Sequence, residues 1–443
     1  MIENYNELFG RLVGEKSVPD EIKSAQHIKK MVPIKVTKNE IYCKRCGHKT
    51  SKNEAELPDD NFYCSNCINL GRVTLKEQLC FIEEPNLFSH QGKILTWDGK
   101  LTKEQEKCSN EIIEVINNNQ THLLWAVTGA GKTEMLFKGI AKAIKDNKRV
   151  CIASPRVDVC VELFPRIQEA FKNISMVLLH GKSSQSYFYS QLTICTTHQL
   201  LRFYHAFDVI IIDEVDSFPF VNDQSLHFAV DNAVKDESAK LYLTATPTAE
   251  MIKKIKRKQI SASYLPIRFH RHLLPEAKIK YVNDWRKLLS KNKLPSFLLT
   301  KIKQKIKDQQ RFLLFIPKID DLPLISKILV NQYDSSLWHT VYSSDELRME
   351  KVNDMRSEKV LFLITTTILE RGVTFPGIDV IVLGADDEVF SVSSLVQIAG
   401  RVGRKKDRPT GEVLFIVDDK TKPVKNAIKQ IKYMNRLAKK LDE

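Results

Sequence analysis

Short runs of consecutive apolar residues, separated by segments with apolar residues at helical spacing, make up much of the chain from residue 121 onward. Continuous runs are typical of parallel strands buried on both faces, and the spacing between them predicts crossover helices. In the first half, strands are predicted at residues 121–125, 150–156, 192–198, 207–212 and 241–247. In the second half they are predicted at 312–316, 360–364, 380–383 and 413–417. The pattern therefore predicts an α/β protein with two parallel sheets, the first of them doubly wound.

Periodicity weakens around residue 250, and the polar segment 268–275 is interpreted as a linker ending at Pro275. The lysine run at 253–258 is either a solvated helix face or a nucleic-acid contact. We expect a terminal amphipathic helix packed on the second lobe, with contact to a membrane surface as the alternative. The predicted division is an N-terminal arm (1–35), a cysteine module (36–80), two α/β lobes (81–270 and 271–420) and a C-terminal helix (421–443).

The 443 residues carry a net charge of +14, which favours a polyanionic partner without distinguishing nucleic acid from an anionic membrane. The first residues lack the apolar core of a signal peptide, and the apolar runs are far shorter than the ~20 residues that span a bilayer. The sequence therefore predicts a cytoplasmic protein. In that compartment its nine cysteines indicate metal ligands or free thiols rather than disulfides.

Four cysteines form two C-x₂-C pairs separated by 17 residues, namely Cys43, Cys46, Cys64 and Cys67. This spacing is typical of a four-thiolate zinc site. Four sulfurs complete a tetrahedral shell, so the predicted zinc ion is structural and has no open position for catalysis. The other cysteines have no paired spacing, and Cys151 and Cys195 are expected to pack in buried strands.

Residues 126–133 read AVTGAGKT and lie between a predicted strand and a predicted helix, the context of a phosphate-binding loop. Such a loop cradles phosphates with the backbone amides of its Gly-rich turn. The expected nucleotide contacts are Thr128, Gly129, Ala130, Gly131, Lys132 and Thr133. Lys132 supplies a positive charge to the β- and γ-phosphates, and the Thr133 hydroxyl is a ligand for Mg²⁺.

Asp213 and Glu214 directly follow the buried strand predicted at 207–212. This order places two carboxylates at the carboxyl edge of the sheet, where α/β folds bind their ligands. We expect Asp213 to hold Mg²⁺ through water and Glu214 to polarise the attacking water. With the phosphate-binding loop, they predict an NTPase.

The second lobe has no phosphate-binding loop of its own, and its candidate chemistry lies at 365–375 (TTTILERGVTF) and 397–404 (QIAGRVGR). Arg401 and Arg404 stand three residues apart near the end of a predicted helix. Arginines from a neighbouring lobe stabilise the charge that develops on a γ-phosphoryl group, so both are candidate catalytic residues.

The motifs AVTGAGKT, SPR, TTH, DEVD, TAT, TTTILERG and QIAGRVGR occur in this order between about residues 101 and 418. In these motifs the chain resembles superfamily-2 helicases and translocases. The resemblance implies two RecA-like lobes that bind ATP between them and carry single-stranded nucleic acid across both. It assigns adenine recognition to Gln105 and further nucleotide contacts to Gly372 and Gln397. Backbone contacts with nucleic acid fall on Arg156, Thr197 and Thr366. The residues that couple hydrolysis to strand movement are Asp216, Thr244 and Thr246.

A four-cysteine module before a compact helicase core is similar, more narrowly, to the ComFA family of late competence proteins from Gram-positive bacteria. That resemblance implies an ATP-driven translocase on single-stranded DNA that serves the uptake of transforming DNA. It also implies a phosphoribosyltransferase-like competence partner and work at the cytoplasmic side of the uptake channel, peripheral to the membrane.

Three alternatives stay open from the sequence. The primosomal helicase PriA shares the core and has zinc cysteines, although they lie in its second half and follow a long DNA-binding domain. An RNA helicase fits the same motifs, because they do not read the 2′-hydroxyl. An ATP-gated DNA-binding scaffold without translocation fits as well. Whether the zinc module binds DNA or a partner is also open.

Overall fold

The computed structural model describes residues 2–24, 27–181, 186–405 and 408–441. Contacts between residues divide the chain into two units. The first comprises Met1–Leu124 and Lys132–Tyr264, and the second comprises Trp125–Gly131 and Leu265–Glu443. By this division the arm, the cysteine module and most of the first lobe belong to one unit.

The N-terminal eighty residues form short elements despite their weak sequence pattern. In chain order these are β1 (Val13–Gly14), α1 (Asp20–Lys23), β2 (Lys29–Met31), β3 (Ile34–Val36), β4 (Glu40–Cys43), β5 (Lys49–Ser51), α2 (Lys52–Ala55), β6 (Glu56–Leu57), β7 (Asn61–Phe62) and β8 (Leu79–Phe81). Strand β8 lies between β1 and β2, and β4 lies between β3 and β5. The strand that follows the cysteine module therefore ties the arm to it.

The first lobe has a seven-stranded sheet in the order β11-β12-β10-β13-β14-β9-β15. Its elements in chain order are α3 (Lys103–Asn117), β9 (Thr121–Ala126), α4 (Lys132–Lys145), β10 (Val150–Ser154), α5 (Val157–Ala170), β11 (Met176–Leu179), β12 (Leu192–Thr196), β13 (Phe207–Asp213), α6 (Gln224–Ala233), β14 (Val234–Thr244), α7 (Ala249–Lys256) and β15 (Ser261–Leu265). The pairs from β11 to β14 are parallel, which confirms a parallel sheet, although β11 and β15 were not predicted. Cys151 and Cys195 are buried in it, as expected.

The second unit has a six-stranded parallel sheet in the order β16-β21-β20-β17-β19-β18. Its elements are β16 (Ala277–Tyr281), α8 (Trp285–Ser290), α9 (Ser296–Lys307), β17 (Phe312–Phe315), α10 (Asp321–Val330), β18 (Trp338–Val341), α11 (Arg348–Arg356), β19 (Phe362–Thr365), β20 (Asp379–Leu383), α12 (Val392–Ala399), β21 (Val413–Val417) and α13 (Lys422–Lys439). The two edge strands β16 and β18 were not predicted, because neither has an apolar run: apolar residues alternate with lysine in β16, and two polar residues lie between the apolar ends of β18.

Helix α13 packs on the second unit, against α12, as the sequence predicts. Its apolar residues Val424, Ile431 and Met434 are buried. The side chain of Asn435 holds the main chain of Leu274 with two hydrogen bonds, one donated and one accepted, each 2.9 Å long. Because the apolar face is covered, it is not available to a membrane surface. Within the described part of the chain, no helix is long and apolar enough to cross a bilayer.

The cysteine module packs directly on the first lobe. Its four cysteines belong to one hydrophobic cluster with apolar residues of the first lobe, including Leu200, Phe220 and Leu226. The Asn66 amide donates a 3.0 Å hydrogen bond to the Ser225 hydroxyl on α6. Module and lobe therefore share a core, and we expect them to unfold together.

Gly47, in the turn after Cys46, is a close-packed point of this contact. Its φ is 71°, and an added Cβ would lie 2.7 Å from the ring of Phe228. We expect Gly47→Ala to lower the free energy of unfolding by about 2–4 kcal/mol, since the side chain adds both left-handed strain and overpacking. Thermal and denaturant unfolding measure the change.

The matched control is Gly14→Ala, whose added Cβ meets no atom within 4 Å and needs no positive φ. Equal stability of the two alanine variants would show that the turn around Gly47 relaxes at little cost and that the contact with Phe228 is not tight.

Candidate functional site

The four predicted zinc ligands come together in the structure. The sulfurs of Cys46 and Cys64 are 3.5 Å apart and those of Cys43 and Cys67 are 3.9 Å apart. All four lie within 4.8 Å of one another. A tetrahedral ion with Zn–S bonds of 2.3 Å separates its sulfurs by about 3.8 Å. The cluster therefore fits a zinc ion.

The surroundings of the cluster favour a closed structural site. All four cysteines are buried. Hydrogen bonding with the Cys43 thiol lowers the pKa of Cys46 and Cys64, whereas the pKa of Cys43 and Cys67 is raised, so thiolate, the form that binds metal, is favoured at two of the four sulfurs. The guanidinium of Arg45, between the first two ligands, donates to the carbonyls of Cys67 at 3.4 Å and Gly71 at 3.0 Å. These bonds join the two knuckles.

The phosphate-binding loop connects β9 to α4, as the sequence predicts. Gly129 and Gly131 have φ of 78° and 74°, a left-handed backbone that glycine adopts without strain. Lys132, at the start of α4, places its ammonium 3.2 Å from the carboxylate of Asp213 at the end of β13. Both groups are largely shielded from solvent. The structure thus joins two predicted nucleotide-site residues that lie 81 positions apart.

The acidic motif after β13 has an unusual backbone. Glu214 has a φ of 55°, a costly conformation for a residue with a side chain. Its N–H donates to Asp213 at 2.9 Å, and the Ser217 hydroxyl donates to its carboxylate at 3.3 Å. Non-glycine residues held in this region are enriched at active sites, where the surrounding structure fixes a functional group. This geometry agrees with a positioned carboxylate.

The three predicted coupling residues form one buried network. The Thr244 hydroxyl donates to the Asp216 carboxylate at 2.6 Å, and the Thr246 hydroxyl donates to its other oxygen. The N–H of Thr246 donates to the Thr244 hydroxyl at 2.8 Å. The acidic motif after β13 is therefore linked to the segment after the neighbouring strand β14.

Gln105 has a structural role in addition to its predicted one. It is buried, and with Thr102 it forms a capping box at the start of α3. Its side-chain oxygen accepts from the N–H of Thr102 at 2.9 Å. The sequence interpretation overlooked this bond, although Thr-x-x-Gln before a helical pattern is its signature. Adenine recognition by Gln105 stays a prediction.

The predicted nucleic-acid contacts differ in accessibility. Arg156 precedes α5 and is half-buried. Thr366 follows β19 and is buried. Thr197 is fully buried, and its hydroxyl has no hydrogen-bond partner among the described residues. The side chain of Thr197 is thus not exposed to a strand here, and all three contacts stay predictions.

The arginines of the last motif lie in the second unit after α12. Arg401 is buried and donates to the carbonyl of Val373. Arg404 has a φ of 64° and donates from Nε to the carbonyl of Gly400 at 2.9 Å. Of the two predicted nucleotide contacts in this unit, Gln397 is buried on α12 and Gly372 has a φ of 72°. A catalytic role for either arginine stays a prediction.

Arg268 is a residue that the sequence interpretation missed, because it lies in a polar stretch without periodicity. Its guanidinium donates to the carbonyls of Val402 at 2.8 Å and Gly400 at 3.0 Å. The Thr128 hydroxyl, grouped with the same unit, also donates to Gly400, at 3.3 Å. Burial, and next the charge of Arg404, lowers the pKa of Arg268 to about 9. Arg268 is a positioning residue for the loop that carries both arginines.

Competence protein ComFA of Streptococcus pneumoniae (strain R6) is 40% identical to this chain over 429 residues, which cover 97% of the chain and 98% of that protein. The chain belongs to the ComFA family. ComFA of Bacillus subtilis (strain 168) is 41% identical, over 92% of the chain and 89% of that protein. The full-length match decides between ComFA and PriA.

Three family models match this ComFA family member along its length. They are the ComFA N-terminal domain at 8–81, the type III restriction enzyme res subunit at 98–249 and the helicase conserved C-terminal domain at 290–406. The solved structure of S. cerevisiae Dbp5 bound to RNA and ADP BeF₃ covers 78% of the chain and 94% of its own, with a TM-score of 0.55 and 15% identity. At that identity the likeness shows the fold alone. That fold is two RecA-like lobes. The two helicase-type family models and the ComFA relatives identify an ATP-dependent nucleic-acid helicase of superfamily 2.

Proposed function

We propose that this ComFA family member is an ATP-driven translocase on single-stranded DNA that serves the uptake of transforming DNA. The observation that carries the proposal is the Asp216–Thr244–Thr246 network, which links the acidic motif to the next strand of the sheet. Such a link gives the ATP site a route to the segments that grip the strand. Membership of the ComFA family supplies the cellular context.

In the proposed cycle Lys132 neutralises charge on the β- and γ-phosphates, and Thr133 and Asp213 hold Mg²⁺. Glu214 orients and polarises the attacking water. Arg401 and Arg404 stabilise the charge that develops on the γ-phosphoryl group. The net charge of +14 supplies a sequence-independent grip on the strand, which should weaken steeply with salt. A bound zinc ion would hold the two knuckles together.

We also propose a place for the protein in the cell. It works at the cytoplasmic face of the membrane, next to the DNA-uptake channel, with a phosphoribosyltransferase-like competence protein as partner. These proposals rest on the family resemblance.

The test is the rate of ATP hydrolysis with single-stranded DNA, duplex DNA or RNA. We expect strong stimulation by single-stranded DNA that Lys132→Ala abolishes. The matched control is Lys138→Ala on the same helix, whose ammonium pairs with Glu106; it should keep the stimulation. Better stimulation by RNA or duplex would contradict the proposal.

Translocation needs a second measurement, displacement of streptavidin from end-biotinylated single strands. ATP-dependent displacement supports a motor. Stimulated hydrolysis and binding without displacement would instead identify an ATP-gated scaffold.

A further inference from the structure

A cavity of about 620 Å³ lies at the carboxyl edge of the first sheet. Residues at or just after the ends of three adjacent strands line it: Pro155 after β10, His180 after β11 and Thr196 at the end of β12. The N-terminal arm contributes Arg11, and the segment after Cys67 contributes Asn69 and Leu70. Arm, module and lobe thus build one cavity together.

Backbone hydrogen bonds fix the arm at this cavity. The N–H of Leu12 donates to the carbonyl of Arg202 at 2.8 Å, and the N–H of Tyr204 donates to the carbonyl of Gly10 at 2.9 Å. The guanidinium of Arg11 lies 4.0 Å from the ring centroid of Tyr187, which also lines the cavity. Arg11 is therefore held in place before any ligand arrives.

The charge of the lining is of one sign. It contains Arg11, Arg202 and two histidines but no carboxylate. Among the described residues no acceptor or carboxylate pairs with the side chain of Arg202. Burial, followed by the charges of Arg11 and Arg45, lowers the pKa of Arg202. The Arg11 guanidinium lies 3.8 Å from the Glu7 carboxylate, which is outside the lining, so an anion in the cavity would chiefly neutralise Arg202 and would relieve its repulsion with Arg11.

A neighbouring cavity of about 500 Å³ shares Arg11 and Arg202 but does not have a purely basic lining. It is also lined by four carboxylates, those of Glu3, Glu7, Glu15 and Glu77. The acid-free cavity is therefore the one that suits an anion.

The position of the cavity suggests which anion it takes. Pro155 and Val157, the sequence neighbours of Arg156, and Thr196 and His198, the sequence neighbours of Thr197, line the cavity, so it lies beside the segments that carry two predicted nucleic-acid contacts. We propose that this cavity binds a backbone phosphate of single-stranded DNA between Arg11 and Arg202, so that the strand runs from the first lobe onto the zinc module. The inference rests on the proposed function and names a subsite of it.

The experiment measures affinity of the full chain for a fluorescent oligothymidine as a function of salt, without ATP. Arg202→Gln and Arg11→Gln should each weaken binding about tenfold at low salt. Each should also flatten the slope of log affinity against log salt by about 0.7, the loss of one phosphate contact on a single strand. Arg202→Lys, which keeps the charge, should restore most of the slope.

Arg72→Gln is the control, since Arg72 is exposed and lines the acidic neighbour cavity but not the proposed subsite. Weaker binding with an unchanged salt slope would indicate a structural defect and overturn the subsite. Unchanged affinity in both glutamine variants would overturn it as well. If the unaltered chain failed to bind single-stranded DNA or to respond to it with ATP hydrolysis, the proposed function itself would fail.

Discussion

Glu214→Gln is expected to lower ATP turnover by about 10²–10⁴-fold, the usual range for loss of a positioned general base. Glutamine keeps the size of the side chain and tolerates the same backbone as poorly as glutamate does, but it does not accept a proton. Lys132 and the glycine turn are untouched, so nucleotide affinity should change little. Steady-state phosphate release and binding of a fluorescent ATP analogue separate the two effects.

The matched control is Glu237→Gln, an exposed carboxylate on β14 of the same sheet. Its turnover should equal that of the unaltered chain. Turnover of Glu214→Gln within a few-fold of normal would remove Glu214 from the chemistry and leave Asp213 as the only acidic group of the motif with a role there.

Cys64→Ser should release the zinc ion and lower the free energy of unfolding of the first unit by more than about 4 kcal/mol. Structural zinc supplies folding free energy outright, because its site does not exist in the unfolded chain. Here the ligands also belong to the hydrophobic cluster that includes Leu200 and Leu226 of the lobe. Loss of the ion should therefore destabilise the lobe as well as the module. Zinc content and thermal unfolding report the two changes.

Cys108→Ser is the control for this experiment. Cys108 is buried outside the cluster, and burial raises the pKa of its thiol to about 12. It should keep the zinc, and a chelator should then lower its melting temperature as it lowers that of the unaltered chain. Full zinc content in Cys64→Ser would contradict the four-thiolate site. Separately, unchanged DNA affinity of the folded fraction would limit the module to a folding role.

The features predicted from the sequence are strands with long apolar runs and motifs with a fixed local spacing. Strands β9, β10, β12, β13 and β14 are apolar enough to be recognised one by one. The phosphate-binding loop and the C-x₂-C pairs are local patterns whose chemistry depends on few neighbours. Both motifs lie at the ends of buried strands, so their placement in one site was predictable, although the direct contact between Lys132 and Asp213 was not predicted.

The rest depends on contacts between distant segments. Strand β16 alternates lysine with apolar residues, because it lies at a sheet edge, and so lacked a run. Arg268 acts through carbonyls more than 130 positions away, and no local pattern marks it. The basic cavity likewise arises only when the arm and module pack on the lobe.

The contacts between the N-terminal arm and the first lobe affect the order in which the protein folds during synthesis. Residues 10–12 bond to residues 202–204, and the cysteines share a core with residues 200–234, all of which are synthesised much later. As the chain leaves the ribosome, the N-terminal residues can bury their own small clusters, but those that belong to the core shared with the lobe lack their partners until β13 and α6 emerge. Domains commonly fold as units in order of synthesis. The family model treats residues 8–81 as a domain of their own. In this fold they are part of a larger folding unit, and that part is completed only after the lobe has been synthesised.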